Sequence, residues 1–373
     1  MVVPLAVRSL AAVVGVVLVI TAWSSVIVTL IVSRSVGSWM TRLVDSGVVL
    51  VFNLLTRNID AYERRDRVLA MLPATILLGQ LVLWLGTAFA GYGLLLWPLT
   101  RLGVGSAFVA AGSALFTLGF DEPAGAAPVA VVFVAAASGL VIVTLQIAYL
   151  PTLYAAFNRR ETEVALLNAR AGIPSWGPEL LARTHYGFGS GVSTIDTLPA
   201  LYAQWERWAA DVAESHTTYL PLVRFRSPGT LSSWMTALLA VLDSAALYLA
   251  LSPASVPAVP ARLCLRSGFL CFNRIARAMG IEVSEERDSP GEISLTYQEF
   301  LVAVDRMREV SFPIERDPAD AWPDFVGWRA NYEQAAYAVA AAVDAAPALW
   351  SGPRPHPTPA IAPKRPPLGR PPK

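Results

Sequence analysis

Apolar residues run almost without interruption from about Leu5 to Val32, from about Val68 to Trp97 and from about Ala126 to Phe157. Each run holds at most one charged residue, near an end. As helices, all three are long enough to cross a hydrocarbon layer of roughly 30 Å. Three transmembrane helices are therefore expected. The apolar run from Ala11 to Val32 exceeds the roughly 7–15 residues of a leader's hydrophobic region, and no small-residue cleavage pattern follows it. It is read as a retained helix.

From Glu161 onward, charges, prolines and a helical spacing of apolar positions take over. This pattern predicts helices over Glu161–Ala171, Leu198–Glu214, Ser232–Leu251, Ala261–Met279, Tyr297–Arg308 and Trp322–Ala345. No run of strand-like alternation intervenes, so the expected fold class is all-α. The segment Trp234–Leu251 is nearly apolar enough to span a membrane, but it carries Asp243 at its centre. A carboxylate in lipid is costly, so the segment is read as the core helix of a cytoplasmic domain. From Ser351 the chain is rich in proline and carries Arg354, Lys364, Arg365 and Arg370. Such a composition predicts an extended, disordered tail. The apolar stretch Val48–Leu55, flanked by Trp39, Arg42 and Arg57, has two readings: a helix lying at the inner membrane surface, or a core segment of the cytoplasmic part. The expected organisation is a first span over 1–33, a linker over 34–67, a membrane module over 68–157, a cytoplasmic helical domain over 158–350 and a tail over 351–373.

Charge orients these spans. Arg34, Arg42, Arg57, Arg64, Arg65 and Arg67 lie between the first and second, and Arg159, Arg160 and Arg170 follow the third. Between the second and third lies only Arg101, against Asp121 and Glu122. Arginine and lysine favour the cytoplasmic side. This places the N-terminus and the 98–125 connection outside, and the linker and C-terminal domain inside. The chain is 54% hydrophobic and 15% charged, with a mean hydropathy of +0.49, which suits a bilayer better than bulk water. The net charge of +1 offers no electrostatic ground for a nucleic-acid partner. Lysine occurs only at Lys364 and Lys373, beside abundant Ala, Val and Arg. This bias suggests a GC-rich bacterial genome and hence a bacterial cell membrane. The first span has no ladder of arginines, so voltage sensing is not expected.

The connection outside the membrane holds the candidate chemistry. It reads Gly103-Val104-Gly105-Ser106-Ala107-Phe108-Val109-Ala110-Ala111-Gly112-Ser113-Ala114-Leu115-Phe116, then Thr117-Leu118-Gly119-Phe120-Asp121-Glu122. It is too short to cross twice and too apolar to rest in water. Thr117 to Asp121 resembles the selectivity filter of the potassium-channel superfamily, whose pattern is Thr-Val/Ile-Gly-Tyr/Phe-Gly. The resemblance covers about Val68 to Arg160, the span–pore-helix–filter–span unit. It implies a pore helix over Gly105–Phe116, with small residues Ser106, Ala110, Ala111, Gly112, Ser113 and Ala114 approaching neighbouring helices. It further implies a homotetramer that conducts K+ as permeant ion, with carbonyls of Thr117, Leu118, Gly119 and Phe120 replacing the ion's water. Leu118 and Phe120 side chains would pack against the pore helix. The family's second glycine is replaced by Asp121, so the outermost carbonyl site departs from the pattern. Four copies of Asp121 and Glu122 would ring the outer mouth with carboxylates. Gly139, about twenty residues on, falls where the family bends its inner helix, and Pro151 is a second candidate hinge. Thr144 and Gln146 are the polar side chains in mid-span. The reading from a different class is a non-conducting membrane anchor for a helical scaffold or sensor.

Other motifs carry less. Gly187-Phe188-Gly189-Ser190-Gly191 lacks a preceding strand, so a turn is expected rather than a phosphate loop. Trp205 and Trp208 are expected in a core. His185 and His216 lack catalytic partners, and Glu161 and Glu163 suit a solvated face, with attraction of cations to the inner mouth as the functional alternative. The acidic stretch from Glu282 to Glu292 lacks calcium-loop spacing. Cys264 and Cys271 have no acidic or His cluster to complete a metal site. With no nucleophile elbow, zinc helix or Walker loop, no enzyme is expected.

Overall fold

The computed structural model describes residues 4–32, 38–100, 103–120, 123–184, 194–283, 293–354 and 357–365. Thirteen α-helices account for most of them: α1 (Leu5–Leu30), α2 (Trp39–Thr56), α3 (Tyr62–Leu69), α4 (Leu72–Leu99), α5 (Val104–Leu115), α6 (Ala126–Ala171) and α7 (Gly177–Thr184). These are followed by α8 (Leu198–Thr218), α9 (Trp234–Leu251), α10 (Ala258–Ala278), α11 (Tyr297–Glu309), α12 (Pro318–Arg329) and α13 (Glu333–Ala342). Among the described residues there is no strand, only an isolated bridge between Ala348 and Ile361. The chain forms two units, one of residues 1–55 and 71–154, the other of 56–70 and 155–373. Helix α6 belongs to both.

In the first unit, α1 and α4 run antiparallel with their backbones in contact. A Cβ on Gly15 would lie 2.7 Å from the Gly91 carbonyl oxygen, and one on Gly91 would lie 2.8 Å from the Val19 side chain. Small residues at such a crossing let dispersion contacts form where no hydrophobic force separates helix from lipid. Further along, Trp84 Nε1 donates to Ser25 Oγ at 2.9 Å, and Ser38 Oγ donates to the same oxygen at 2.7 Å. Helix α2 closes on α4 at Gly79, where a Cβ would meet Val44 at 2.9 Å. Large apolar side chains point outward: Leu10, Val17 and Ile20 on α1, Leu50 and Leu54 on α2, Leu78 and Val82 on α4, Phe133 and Ile147 on α6. Such faces belong in an apolar medium.

Among the described residues, five helical segments are long and apolar enough to cross a membrane: Ala6–Leu30, Trp39–Thr56, Tyr62–Leu99, Ala126–Ala171 and Trp234–Leu251. The expected spans correspond to the first, third and fourth. The stretch Val48–Leu55 is the C-terminal half of α2, a longer helix than its own pattern announced, which begins at Trp39 and carries Arg42 and Asp45.

The second unit resolves the Trp234–Leu251 segment. Every residue of α9 is buried, and α7, α8, α10, α12 and α13 pack around it. Gly177 brings α7 onto it, since a Cβ there would meet Asp243 Cβ at 2.7 Å and the Ala240 carbonyl oxygen at 2.8 Å. Gly268 does the same from α10, against Leu242. An all-round apolar helix is what the centre of a helical domain requires. The expected helices recur with shifted ends, except that Trp322–Ala345 divides into α12 and α13 around Ala330–Tyr332. Thr296 and Glu299 form a capping box that starts α11. Helix α3 also belongs here, rather than to a free linker: Arg65 Nε pairs with Asp344 at 2.7 Å, and Arg226 bonds Asp66.

The segment after Ser351 departs from the expected disordered tail up to residue 365. Arg183 donates to the Lys364 carbonyl at 2.6 Å, Arg365 Nε reaches Glu179 at 2.9 Å, and Pro363 sits against Gly172. Proline-rich chain has little backbone freedom to lose, so a few such anchors hold it.

Candidate functional site

Helix α5 is about 18 Å long at 1.5 Å per residue, too short to span. It buries Ala107, Ala110, Ala111, Ala114 and Leu115 in a cluster with Ala22 of α1, Ala88, Tyr92 and Leu96 of α4, and Ala135 of α6. Of the small residues expected to approach neighbouring helices, Ala110, Ala111 and Ala114 are therefore used within one chain, while Ser106 is exposed. Phe108 lies over Gly93, where a Cβ would fall 2.8 Å from its ring, and Phe89 packs edge-on to it at 5.4 Å. Gly112 in turn receives Phe89.

The exit of α5 is a Schellman turn. Thr117 N–H donates to the Ala114 carbonyl at 2.9 Å, and Leu118 N–H to that of Ser113 at 2.8 Å. Phe120 N–H then reaches Ser113 Oγ at 3.0 Å. This geometry puts Thr117 in the left-handed region at φ +55°, a conformation costly for a β-branched residue. Gly119, two residues later, has φ +71°. The Thr117 hydroxyl donates to the Phe116 carbonyl at 2.8 Å. Leu118 and Phe120 do not pack on α5 as the resemblance implies; they are 61% and 66% exposed. With the backbone turned by Thr117, their side chains leave the bundle surface. Asp121 and Glu122 lie outside the described residues.

Gly139 and Pro151 both lie within α6, which is one continuous helix. The missing Cβ of Gly139 has a packing use: the Leu115 carbonyl oxygen at the end of α5 occupies its place. One residue earlier, Ser138 forms a polar node. Its hydroxyl donates to the Val134 carbonyl at 2.7 Å, so Tyr92 OH donates to it at 2.6 Å and Trp23 Nε1 at 3.1 Å. In the sequence Ser138 stands out only as a helix-weakening neighbour of Gly139 at the candidate hinge, and Tyr92 and Trp23 carry no signal at all. Of the mid-span polar residues, Thr144 is exposed, while Gln146 is buried and donates through Nε2 to the Leu77 carbonyl at 3.4 Å. The Gln146 and Gln80 carbonyl oxygens are buried without a partner.

The second unit holds buried charge that the sequence pattern concealed. Arg160, fully buried on α6, donates to His216 Nε2 at 2.9 Å, to the Leu222 carbonyl at 2.9 Å and to the Phe225 carbonyl at 2.7 Å. Glu161 pairs with it at 2.7 Å rather than facing solvent. Burial, then the Arg160 charge, hold the His216 ring neutral well below the usual histidine range. Asp243, Arg329, Tyr332 and Glu333 form a second buried network, with Tyr332 OH donating to Asp243 at 2.7 Å and Arg329 Nε pairing with Glu333 at 2.6 Å. Glu179 is buried against Arg306, Arg183 and Arg365; burial opposes its charge, but these guanidinium groups prevail and hold its carboxyl below the ordinary value. Trp205 and Trp208 are core residues with ring centroids 4.5 Å apart. Cys264 and Cys271 are free and buried, and burial raises both thiols. Among the described residues no group of three His, Cys, Asp or Glu side chains could hold a metal ion. His185 and the Gly187–Gly191 loop lie outside the described residues, as does most of the acidic stretch from Glu282 to Glu292.

These features define an all-helical protein with helices suited to a membrane and a second, helical unit built around α9. No family model, curated protein or solved structure matches the chain.

Proposed function

We propose that this chain is a cation channel of the bacterial cell membrane, assembled from four copies around the turn Thr117–Phe120. The observation that carries the reading is that turn: a short apolar helix enters the bundle, stops on two left-handed residues, and leaves Thr117 to Phe120 exposed. Exposed, irregular backbone at membrane depth is tolerated only where other protein covers it or water runs beside it. A fourfold assembly supplies both. One turn offers too few carbonyls to replace an ion's hydration shell, whereas four around an axis suffice.

Chain connectivity supports the orientation. Residues 56–70 and 155–373 fold as one unit, so the chain enters α4 from the unit it rejoins after α6. In this reading that unit is cytoplasmic and the α5 turn opens outward, with Asp121 and Glu122 gathering cations at the mouth. K+ is the expected permeant ion.

A second reading is favoured by one observation. The closed Schellman turn and the Thr117 hydroxyl bond to the Phe116 carbonyl suit a plain helix cap in a non-conducting anchor for the second unit. Potassium flux into liposomes containing the purified full-length chain separates the two. The channel reading expects flux in the wild type and its loss in Thr117→Ala and Gly119→Ala variants that keep the wild-type oligomer. Absence of flux from folded wild type, or a monomer in mild detergent, overturns it. A reversal potential between sodium and potassium solutions then measures selectivity.

A further inference from the structure

Helix α10 covers α9 with one face and leaves another bare. On the bare face lie Val259, Arg262, Leu263, Arg266, Leu270, Arg274 and Arg277, which fall within an arc of about 120° at 3.6 residues per turn. Val259 is 70% exposed, Leu263 45% and Leu270 42%. The helix contains no Asp or Glu from Ala258 to Ala278. Arg262, Arg266 and Arg274 have no carboxylate partner among the described residues; Arg262 instead lies over the Trp328 ring at 5.9 Å. Several carboxylates on the elements that pack against α10 are engaged elsewhere: Asp243 and Glu333 with Arg329, and Asp211 with Arg159.

A helix face that alternates arginine with exposed aliphatic side chains matches a bilayer surface in two respects. Headgroup phosphates take the guanidinium groups in bidentate contact, and the acyl boundary takes the aliphatic tips. An acidic peptide or a nucleic acid would reward the arginines but not Val259, Leu263 and Leu270. The other unit of the same chain carries membrane-length helices, so a bilayer is always within tether's reach and the effective concentration is high. We propose that this face of α10 binds an anionic lipid surface. The proposal requires a membrane protein but not conduction, and its test reads lipid contact without any flux.

The test uses the full chain in nanodiscs of phosphatidylcholine alone or mixed with phosphatidylglycerol. Phenylglyoxal modification of Arg262, Arg266 and Arg274 is followed by mass spectrometry, with the half-exposed Arg308 of α11 as internal reference. Protection is expected only in the anionic nanodiscs, at roughly fivefold per arginine, and it should fade in high salt. Arg266→Glu combined with Arg274→Glu should abolish the protection of Arg262 with thermal unfolding in detergent unchanged. Leu263→Ser should leave a weaker, more salt-sensitive protection. Equal labelling in both nanodiscs overturns the proposal. So does equal protection in neutral nanodiscs and in detergent, which would mean that a second copy of the chain covers this face.

Discussion

Gly139 of α6 faces the carbonyl oxygen of Leu115 so closely that a Cβ at this position would stand 1.8 Å from it. The last turn of α5 is thereby seated on the inner helix, and the Thr117–Phe120 turn follows at once. Because the clash is with backbone on both sides, no side-chain rotation relieves it. Gly139→Ala should therefore displace α5 and cost about 3 kcal/mol or more, the upper end of overpacking penalties. Unfolding of the detergent-solubilised protein measures it. Gly86→Ala, at a position with open space, should be neutral or mildly stabilising by the difference in helix propensity.

Thr117 and Gly119 make opposite predictions. Thr117→Gly removes the steric cost of a β-branched residue at φ +55° and should stabilise the protein by about 1 kcal/mol. Gly119→Ala introduces that cost at φ +71° and should destabilise by a similar amount. If the turn lines a pore, Thr117→Gly should raise the melting temperature yet lower or unselect the flux. A purely structural cap would gain stability with no functional change.

Asp243→Ala would leave Arg329 buried at the centre of the second unit with Glu333 as its one remaining carboxylate, beside the Tyr337 hydroxyl and the Trp350 carbonyl. Breaking one side of a buried pair costs about 3–5 kcal/mol, and Tyr332 OH loses its acceptor as well. Chemical denaturation followed through tryptophan fluorescence should show it. The combined change Asp243→Leu, Arg329→Met and Glu333→Gln should recover much of the loss, because it removes the whole buried charge set, whereas Asp243→Leu with Arg329→Met alone strands the Glu333 carboxylate.

His216 gives the chain an acid limit. Its folded pKa is depressed by burial and by Arg160, so below the unfolded histidine value of about 6.5 the unfolded state binds a proton that the native state refuses. The stability this contributes is present above that pH and declines as pH falls, by about 1.4 kcal/mol per unit for this one group. His216→Gln, whose amide oxygen can still accept from Arg160, should flatten the decline between pH 6 and 5 relative to wild type. These pH values bracket the region just below the unfolded pKa, roughly one unit wide. Equilibrium unfolding across that window is the measurement.

Much of this architecture was written in the pattern of residues. Apolar runs of membrane length, the α5 segment between two of them and the helical character after Glu161 follow from hydrophobicity and period alone, because backbone groups in lipid must bond within their own segment. Asp243 favoured a core over a span for α9, and the helices that bury it on every side decide between them. What the pattern could not reveal are facts about partners distant in the chain. Arg160 and Arg329 look like surface arginines until the carbonyls of Leu222 and Phe225, or Asp243, are brought beside them. Gly139 looks like a hinge until Leu115 arrives. The proline-rich tail looks unstructured until Glu179 and Ile173 give it anchors up to residue 365. Local composition determines which segments become helices and which medium they suit; only tertiary contact decides which glycine is a contact, which charge is compensated and which face stays bare, since those depend on what packs against each side chain.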